Sequence, residues 1–344
     1  MSSEDSPASG ASADATAALE ASAAPYSTLS PDLILDAVEG AGFPVSGGLL
    51  AMNSYENRVY QLELNDGSFL VAKFYRPGRL SDAAIHEEHT FTLALAAAEL
   101  PCVAPLAVAG RTLFEHEGYR FALFPRRGGQ PPDIEQEDNL RILARAIARI
   151  HAIGRQDEFS ARRTLSVKDY AIDSRALLLA TDFIPYELRE AYETLSAQLI
   201  ERLEHVLDGH TMQRIHGDCH LGNLLWREQV PNFVDFDDAV TGPPIQDLWM
   251  LLSGERQEQQ RQLDVILRAY EEFSSFEPRS IALIEPLRTL RMMHHAAWIA
   301  RRWEDPAFPP AFPWFEGGRY WSDHILHLKE QLAALQEPPL EWRR

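Results

Sequence analysis

The alternation of apolar and polar positions divides the chain into a strand-rich first third and a helical remainder. Leu33, Ile34, Ala37 and Val38 form an apolar stripe at helical spacing; Ser30 is placed to cap it, Pro31 suits its first turn, and Gly40 and Gly42 end it. Two partly alternating runs follow, Arg58–Leu64 and Ser68–Tyr75, and Asn65-Asp66-Gly67 between them predicts a hairpin. A helical pattern covers Asp82 to Ala98. Leu113–Phe114 and Tyr119–Phe124, joined by His116-Glu117-Gly118, predict a second strand pair. Beyond them the periodicity predicts helices over 135–152, 186–207, 244–252, 256–273, 279–303 and 320–335. One strand-rich island, 212–236, interrupts these helices. The pattern therefore predicts an α+β protein of two lobes: a small antiparallel-sheet lobe with one internal helix, then a larger helical lobe carrying a β island. Pro125–Gly129 is the natural connection, with the first lobe over 26–125 and the second over 126–344.

Composition changes this picture at one end. Residues 1 to about 25 are rich in Ala, Ser and Asp and hold no aromatic, so they bury too little apolar surface to offset their ordering entropy and are expected to be a disordered tail. No apolar run reaches the roughly 18 residues of a membrane span, and the first basic residue is Arg58, which argues against a signal peptide. A cytoplasmic protein, expected as a monomer, fits these features. The net charge of −19 repels a nucleic-acid backbone and argues against that class of partner. The two cysteines, Cys102 and Cys219, make no disulfide framework.

Candidate chemistry concentrates in the island. His216, Asp218 and Asn223 lie between Ile215 and Leu224-Leu225, and Asn232-Phe233-Val234 leads into Asp235. Two carboxylates and an amide brought together by a hairpin suit a hard cation such as Mg2+. Phosphoryl transfer needs such a cation to bridge phosphate oxygens, and a base near the acceptor hydroxyl. The same residues also have a blander reading, as turn and cap residues between strands.

HGDCHLGN followed by VDFDDA resembles the catalytic and metal-binding segments of the aminoglycoside phosphotransferase and kinase-like superfamily. Together with NSYENRVYQ, KFYRP and QDLWMLL, these segments resemble the bacterial stress response kinase A family over residues from about 28 to 340. The resemblance implies a kinase-like fold, ATP and Mg2+ as cofactors, and a protein substrate with a serine or threonine acceptor. It implies that Asp218 is the proton acceptor and that Asn223 and Asp235 bind Mg2+. Lys73 would hold ATP phosphates, paired with Glu88, although the adjacent Glu87 stays open as the partner. Ser54 would lie in the phosphate-covering loop, the backbone around Phe124–Arg126 would meet the adenine, and Asp247 would brace the catalytic loop.

Several positions depart from the wider kinase pattern. The phosphate loop has Asn53, Ser54 and Asn57 where glycines are usual. The metal segment reads Asp-Phe-Asp, which leaves Asp237 as a second ligand or a hydrogen-bond partner. His216-Gly217-Asp218 replaces His-Arg-Asp, which argues against control by a phosphorylated activation loop. His216 and His220 have a spacing that binds zinc on a helix, but Gly217 and Gly222 predict a loop. Arg288, Arg291, Arg301 and Arg302, with His294 and His295, form a basic cluster open to two readings, structural salt bridging or contact with an acidic substrate or phosphate. Trp298, Trp303, Trp314 and Trp321 read as core and rim packing.

Three rivals remain open at this level. The first is a small-molecule kinase acting on an amino alcohol, sugar or antibiotic. The second is a haloacid dehalogenase-like phosphatase, suggested by VDFDDAV, although Ala239 stands where that motif has Thr or Val. The third is a nucleotide-binding scaffold without activity, against which the retained Lys73, Asp218, Asn223 and Asp235 argue.

Overall fold

The computed structural model describes residues 24–342, so positions 1–23 of the expected tail lie outside the described residues. Helix α1 (Pro31–Gly40) starts where the pattern puts it, with Ser30 Oγ accepting the Leu33 N–H at 3.2 Å. Strands β1 (Val45–Ala51), β2 (Arg58–Leu64), β3 (Phe69–Phe74), β4 (Phe114–His116) and β5 (Tyr119–Pro125) form an antiparallel sheet in the order β1-β2-β3-β5-β4. Strand β1 was not predicted as a strand. Its Ser-Gly-Gly interrupts any alternation, Gly47 adopts φ +91°, and the pairing with β2 shifts register between Val45 and Leu49.

Two-residue periodicity decides what each face of β3 does. Leu70, Ala72 and Phe74 pack with Val38 of α1 and with Leu62 and Phe121 in one core. Lys73 therefore points to the opposite face, where α2 (Asp82–Ala97) packs with Ile85 near Tyr75 and Ala122. The sequence position of one lysine within one strand thus fixes which helix it can meet.

The larger lobe is built on α3 (Glu137–Gly154), α4 (Asp173–Leu179), α5 (Tyr186–Leu203), α6 (Ile245–Trp249), α7 (Arg256–Tyr270), α8 (Ile284–Arg301), α9 (Phe308–Ala311) and α10 (Gly318–Ala334). Its core includes Leu143, Ile147, Tyr192, Leu248, Leu267, Leu290 and the fully buried Trp321. Trp314, by contrast, lies half-exposed on the rim. Helix α4 escaped the sequence reading because its seven residues, Asp173–Leu179, are too few to show a period. The expected helix over 279–303 divides in two: Pro278–Leu283 forms a 3₁₀ turn before α8 begins.

The island holds two separate ribbons. Strand β6 (Gln213–Ile215) pairs with β9 (Val240–Gly242), which lies past the predicted boundary, and β7 (Leu224–Arg227) pairs with β8 (Val230–Phe233). The end of α3 seats directly on β6: a Cβ at Gly154 would overlap the Arg214 carbonyl. Backbone bonds tie the chain after α2 to β8, with the Phe233 N–H donating to Pro101 O at 2.8 Å and the Val103 N–H to Phe233 O at 2.9 Å. No helix among the described residues is long and apolar enough to cross a membrane.

Candidate active site

Lys73 projects from β3 into a group of carboxylates. Its Nζ lies 3.7 Å from Glu88 Oε1 and 3.2 Å from Asp235 Oδ1, and it hydrogen-bonds Asp237 Oδ1. Burial alone would favour the neutral amine; the fields of Asp237, Glu88 and Asp235 outweigh it and hold Lys73 protonated well above its usual range. Of the two adjacent glutamates, Glu88 is the buried one beside Lys73. Glu87 faces away, accepting from the backbone N–H groups of Ser160, Ala161 and Arg162. Arg162 supports the other side of Glu88, at 3.6 Å, and its guanidinium donates to the carbonyls of Ala84, Asp237 and Ala239. Burial raises the Glu88 carboxyl pKa, against the pull of Lys73.

The loop after β6 carries Asp218. Buried Asp247, near the start of α6, accepts from the His216 N–H at 2.9 Å, the Gly217 N–H at 2.8 Å and His151 Nε2 at 3.0 Å. His216 uses both ring nitrogens inside the loop: Nε2 lies 2.9 Å from Val234 O, and Nδ1 accepts the Asp218 N–H at 3.3 Å. Those two bonds assign the ring proton to Nε2. Gly217 explains the missing arginine of the wider pattern. Its φ is +84°, and a Cβ there would overlap the Asp238 carbonyl. Removing the Asp247 carboxylate strands three buried donors, each costing about 1–3 kcal/mol. Asp247→Ala is therefore expected to lose on the order of 3 kcal/mol or more in chemical denaturation, and Asp247→Asn, which keeps one acceptor oxygen, to fall between it and the native protein.

Asp218 is hydrogen-bonded at both oxygens. Oδ1 accepts from Arg291 of α8, while Oδ2 lies 3.4 Å from His220 Nε2 and 3.4 Å from Asn223 Nδ2. Burial opposes ionisation, but the His220 hydrogen bond and the Arg291 charge prevail and hold the carboxyl well below the usual carboxylate range. Asn223 donates to Asp218 O at 2.9 Å, which turns its Oδ1 away from that bond, and its carbonyl accepts the Val234 N–H at 3.0 Å. Asn223 and Asp235 are thereby brought to neighbouring positions.

Asp235 adopts the left-handed region, φ +61°, uncommon for a residue with a side chain. Its side chain is 53% exposed to the cleft. Desolvation in the cleft raises its pKa; Lys73 opposes this, while Asp237 and Asp238 add to it. The oxygens of Asn223 and Asp235 are of the hard kind that Mg2+ prefers. No group of three or more His, Cys, Asp or Glu among the described residues is arranged to hold a metal ion. Asn223 and Asp235 fit a cation that completes its shell with water and phosphate oxygens.

The β1–β2 loop, holding Asn53, Ser54 and Asn57, overhangs this cleft. Asn57 is buried; its Oδ1 accepts the Arg76 N–H at 3.0 Å and its Nδ2 donates to Asp237. Ser54 is half-buried in the same loop. Glu56 reaches α8, accepting from Trp298 Nε1 at 2.8 Å and pairing with Arg302 and Arg79. Asp305, fully buried, holds Arg58 at 2.9 Å and Arg76 at 2.7 Å. The loop is therefore clasped to the larger lobe. At the cleft's inner wall the Phe124 ring lies 5.7 Å from Lys73 Nζ, while Arg126 is exposed and hydrogen-bonds Gln61 at 3.1 Å.

Sequence reading missed Arg79, Arg162 and Glu56. Arg79 joins Asp237 at 3.2 Å and Asp238 at 2.8 Å. These residues carry no local signature, since their partners lie far along the chain. Asp237 accepts hydrogen bonds from Lys73, Asn57 and Arg79. Two arginines of the basic cluster make ion pairs within the chain. Arg288 pairs with Glu285 on its own helix, whereas Arg291 meets Asp218. Cys219 is buried beside Asp218, and burial pushes its thiol pKa up.

Residues 50–284 match the Phosphotransferase enzyme family. The chain is 46% identical over 321 residues to Stress response kinase A of Escherichia coli (strain K12), covering 93% of this chain and 98% of that protein. It is 44% identical over 318 residues to Serine/threonine protein kinase RdoA of Salmonella typhimurium (strain LT2), covering 92% and 96%. A solved amicoumacin kinase in complex with AMP-PNP and Ca2+ superposes with a TM-score of 0.69 at 16% identity, over 88% of this chain and 93% of that one. A microcompartment-associated aminopropanol kinase does so with a TM-score of 0.69 at 16% identity, over 89% and 98%. At that identity the two structures speak for the fold, which is kinase-like and two-lobed. The long similarity to kinases of one name, over nearly the whole of both chains, gives the conclusion: this chain belongs to the stress response kinase A family, within the phosphotransferase enzyme family.

Proposed function

We propose that this phosphotransferase is a serine/threonine protein kinase using ATP and Mg2+. One observation carries the reading: a single cleft gathers the Lys73–Glu88 pair, the Asp247-braced loop bearing Asp218, and the oxygen donors Asn223 and Asp235. The printed name of the Salmonella relative supports serine and threonine as acceptors, and a solved neighbour holding AMP-PNP and Ca2+ supports a nucleotide with a divalent cation.

Each residue then has a task. Lys73, kept cationic by its carboxylate neighbours, binds ATP phosphate oxygens. The loop with Ser54 covers those phosphates, and the backbone around Phe124–Arg126 meets the adenine. Asn223 and Asp235 hold Mg2+, which when bound neutralises phosphate charge. Asp218 orients the acceptor hydroxyl and takes its proton as the hydroxyl oxygen bonds the γ-phosphorus and the bond from that phosphorus to the bridging oxygen breaks, leaving ADP. The rival dehalogenase-like reading has less support, because Asp235 follows a two-stranded ribbon instead of a strand of a parallel sheet.

Labelled γ-phosphate ATP with casein, myelin basic protein and a panel of small hydroxyl compounds tests this. Label is expected on protein serine or threonine by phosphoamino-acid analysis, and is expected to vanish in excess EDTA and return with Mg2+. Label on small molecules alone would overturn the protein-kinase reading. Full transfer in EDTA would overturn the metal assignment.

A further inference from the structure

Asp218 Oδ2 is engaged by its own loop, through His220 and Asn223, but Oδ1 is engaged from outside, by Arg291. Arg291 belongs to a stripe along α8. Arg288, Arg291, His295 and Trp298, with Arg302 just past the helix end, recur at alternate spacings of three and four and so share one face. Arg288 stacks on Trp249 at 4.9 Å, His295 stacks on Trp298 at 5.7 Å, and Trp298 and Arg302 hold Glu56 of the clasped loop. The stripe thus runs from the acceptor side of Asp218 to the phosphate loop.

Cationic and aromatic groups lie beside this stripe. Arg163 lies 5.2 Å over the Tyr170 ring, and Tyr170 stacks on His294 of α8 at 4.5 Å. Of the acidic groups bound by these residues, Asp218 pairs with Arg291, and Asp238 is shared by Arg79 and Arg163. Arg291 is 39% exposed, in a protein whose net charge is −19. It is a local cation at the mouth of an acidic molecule.

An incoming hydroxyl needs a carboxylate oxygen of Asp218, and Arg291 occupies the one not claimed by the loop. A neutral acceptor displaces the guanidinium without giving it a partner. An acceptor with a carboxylate beside its hydroxyl gives Arg291 a replacement, so the ion pair is exchanged and not lost. Resting on the protein-kinase reading above, we propose that Arg291 is a specificity-determining residue that selects serine or threonine in an acidic peptide segment.

The test uses the full chain with Mg2+-ATP and three serine peptides differing only in flanking glutamate, glutamine or lysine. Native protein is expected to favour the glutamate peptide over the glutamine peptide in kcat/KM by roughly five- to tenfold, mainly through KM, with the lysine peptide poorest. Arg291→Gln is expected to remove that ratio, Arg291→Lys to restore part of it, and Arg291→Glu to turn the preference towards the lysine peptide. Thermal denaturation and nucleotide titration of each variant separate loss of fold from loss of selectivity, and the lysine variant keeps the test alive if the glutamine variant does not fold. Equal use of all three peptides by the native protein, or an unchanged ratio in a folded Arg291→Gln, overturns the proposal while leaving the kinase reading intact. Transfer to small hydroxyl compounds with none to any peptide overturns the protein-kinase reading, and this proposal with it.

Discussion

Asp218→Asn is expected to bind Mg2+-ATP with nearly native affinity while transfer falls by roughly 10²–10⁴-fold, the usual contribution of a positioned acid–base group. The substitution keeps the shape and the Oδ1 acceptor for Arg291, and removes the charge that draws the acceptor proton. Stability should fall by on the order of 1–2 kcal/mol: Arg291 is partly exposed and can turn to water, but the new amide nitrogen faces the donors His220 Nε2 and Asn223 Nδ2 in place of the Oδ2 acceptor. Nucleotide titration by calorimetry and single-turnover transfer, measured on the same preparation, check both halves. Near-native transfer would remove Asp218 from the role of base. Loss of nucleotide binding together with transfer would make it a nucleotide or metal residue instead.

Gly217→Ala is expected to fail in a different way, through the backbone. A residue with a side chain in the left-handed region costs on the order of 1–3 kcal/mol. The added methyl would also meet the Asp238 carbonyl, which cannot swing aside like a side chain. The segment that must yield is the 3₁₀ turn Phe236–Asp238, which carries Asp237 and therefore the anchor of Lys73 and Asn57. The variant is expected to lose several kcal/mol of stability, more than about 3, and at least a hundredfold in transfer. Thermal denaturation alongside the transfer assay decides it: a fully stable variant with native activity would show that the loop accommodates a methyl group at no cost.

These two residues also mark what can be read from a sequence. Asp218, Asn223 and Asp235 stand in short segments whose polar residues interrupt apolar strands, so local pattern marks them as candidates, and the resemblance supplies their expected roles. Lys73 is an ordinary strand residue by pattern and becomes a candidate only through the resemblance, whereas α1 is legible because its cap and stripe are contiguous. Strand β1 was illegible because Gly47 and Gly48 erase alternation, and its partner in β2 supplies the order it lacks. Arg162, Arg79 and Glu56 were illegible for another reason. Their meaning lies in partners such as Asp237, 158 residues from Arg79, and Trp298, 242 residues from Glu56. No window along the chain contains both members. Arg291 was visible as part of a basic cluster, but only the packing of α8 under the island separates it from Arg288, which makes an ordinary helical pair.

The attachment of the phosphate loop to α8 has a mechanical consequence. The two lobes are joined covalently beyond β5 and again, across the cleft, where Glu56 and Asp305 hold opposite charges of the other lobe. The bonds of Phe233 to Pro101 and Val103, and those of Glu87 to Ser160 and Arg162, add further ties between the lobes. A hinge tied at several places around its opening parts only as those ties let go. Wide separation of the lobes therefore begins with the release of ion pairs, and not with bending of the chain beyond β5 alone.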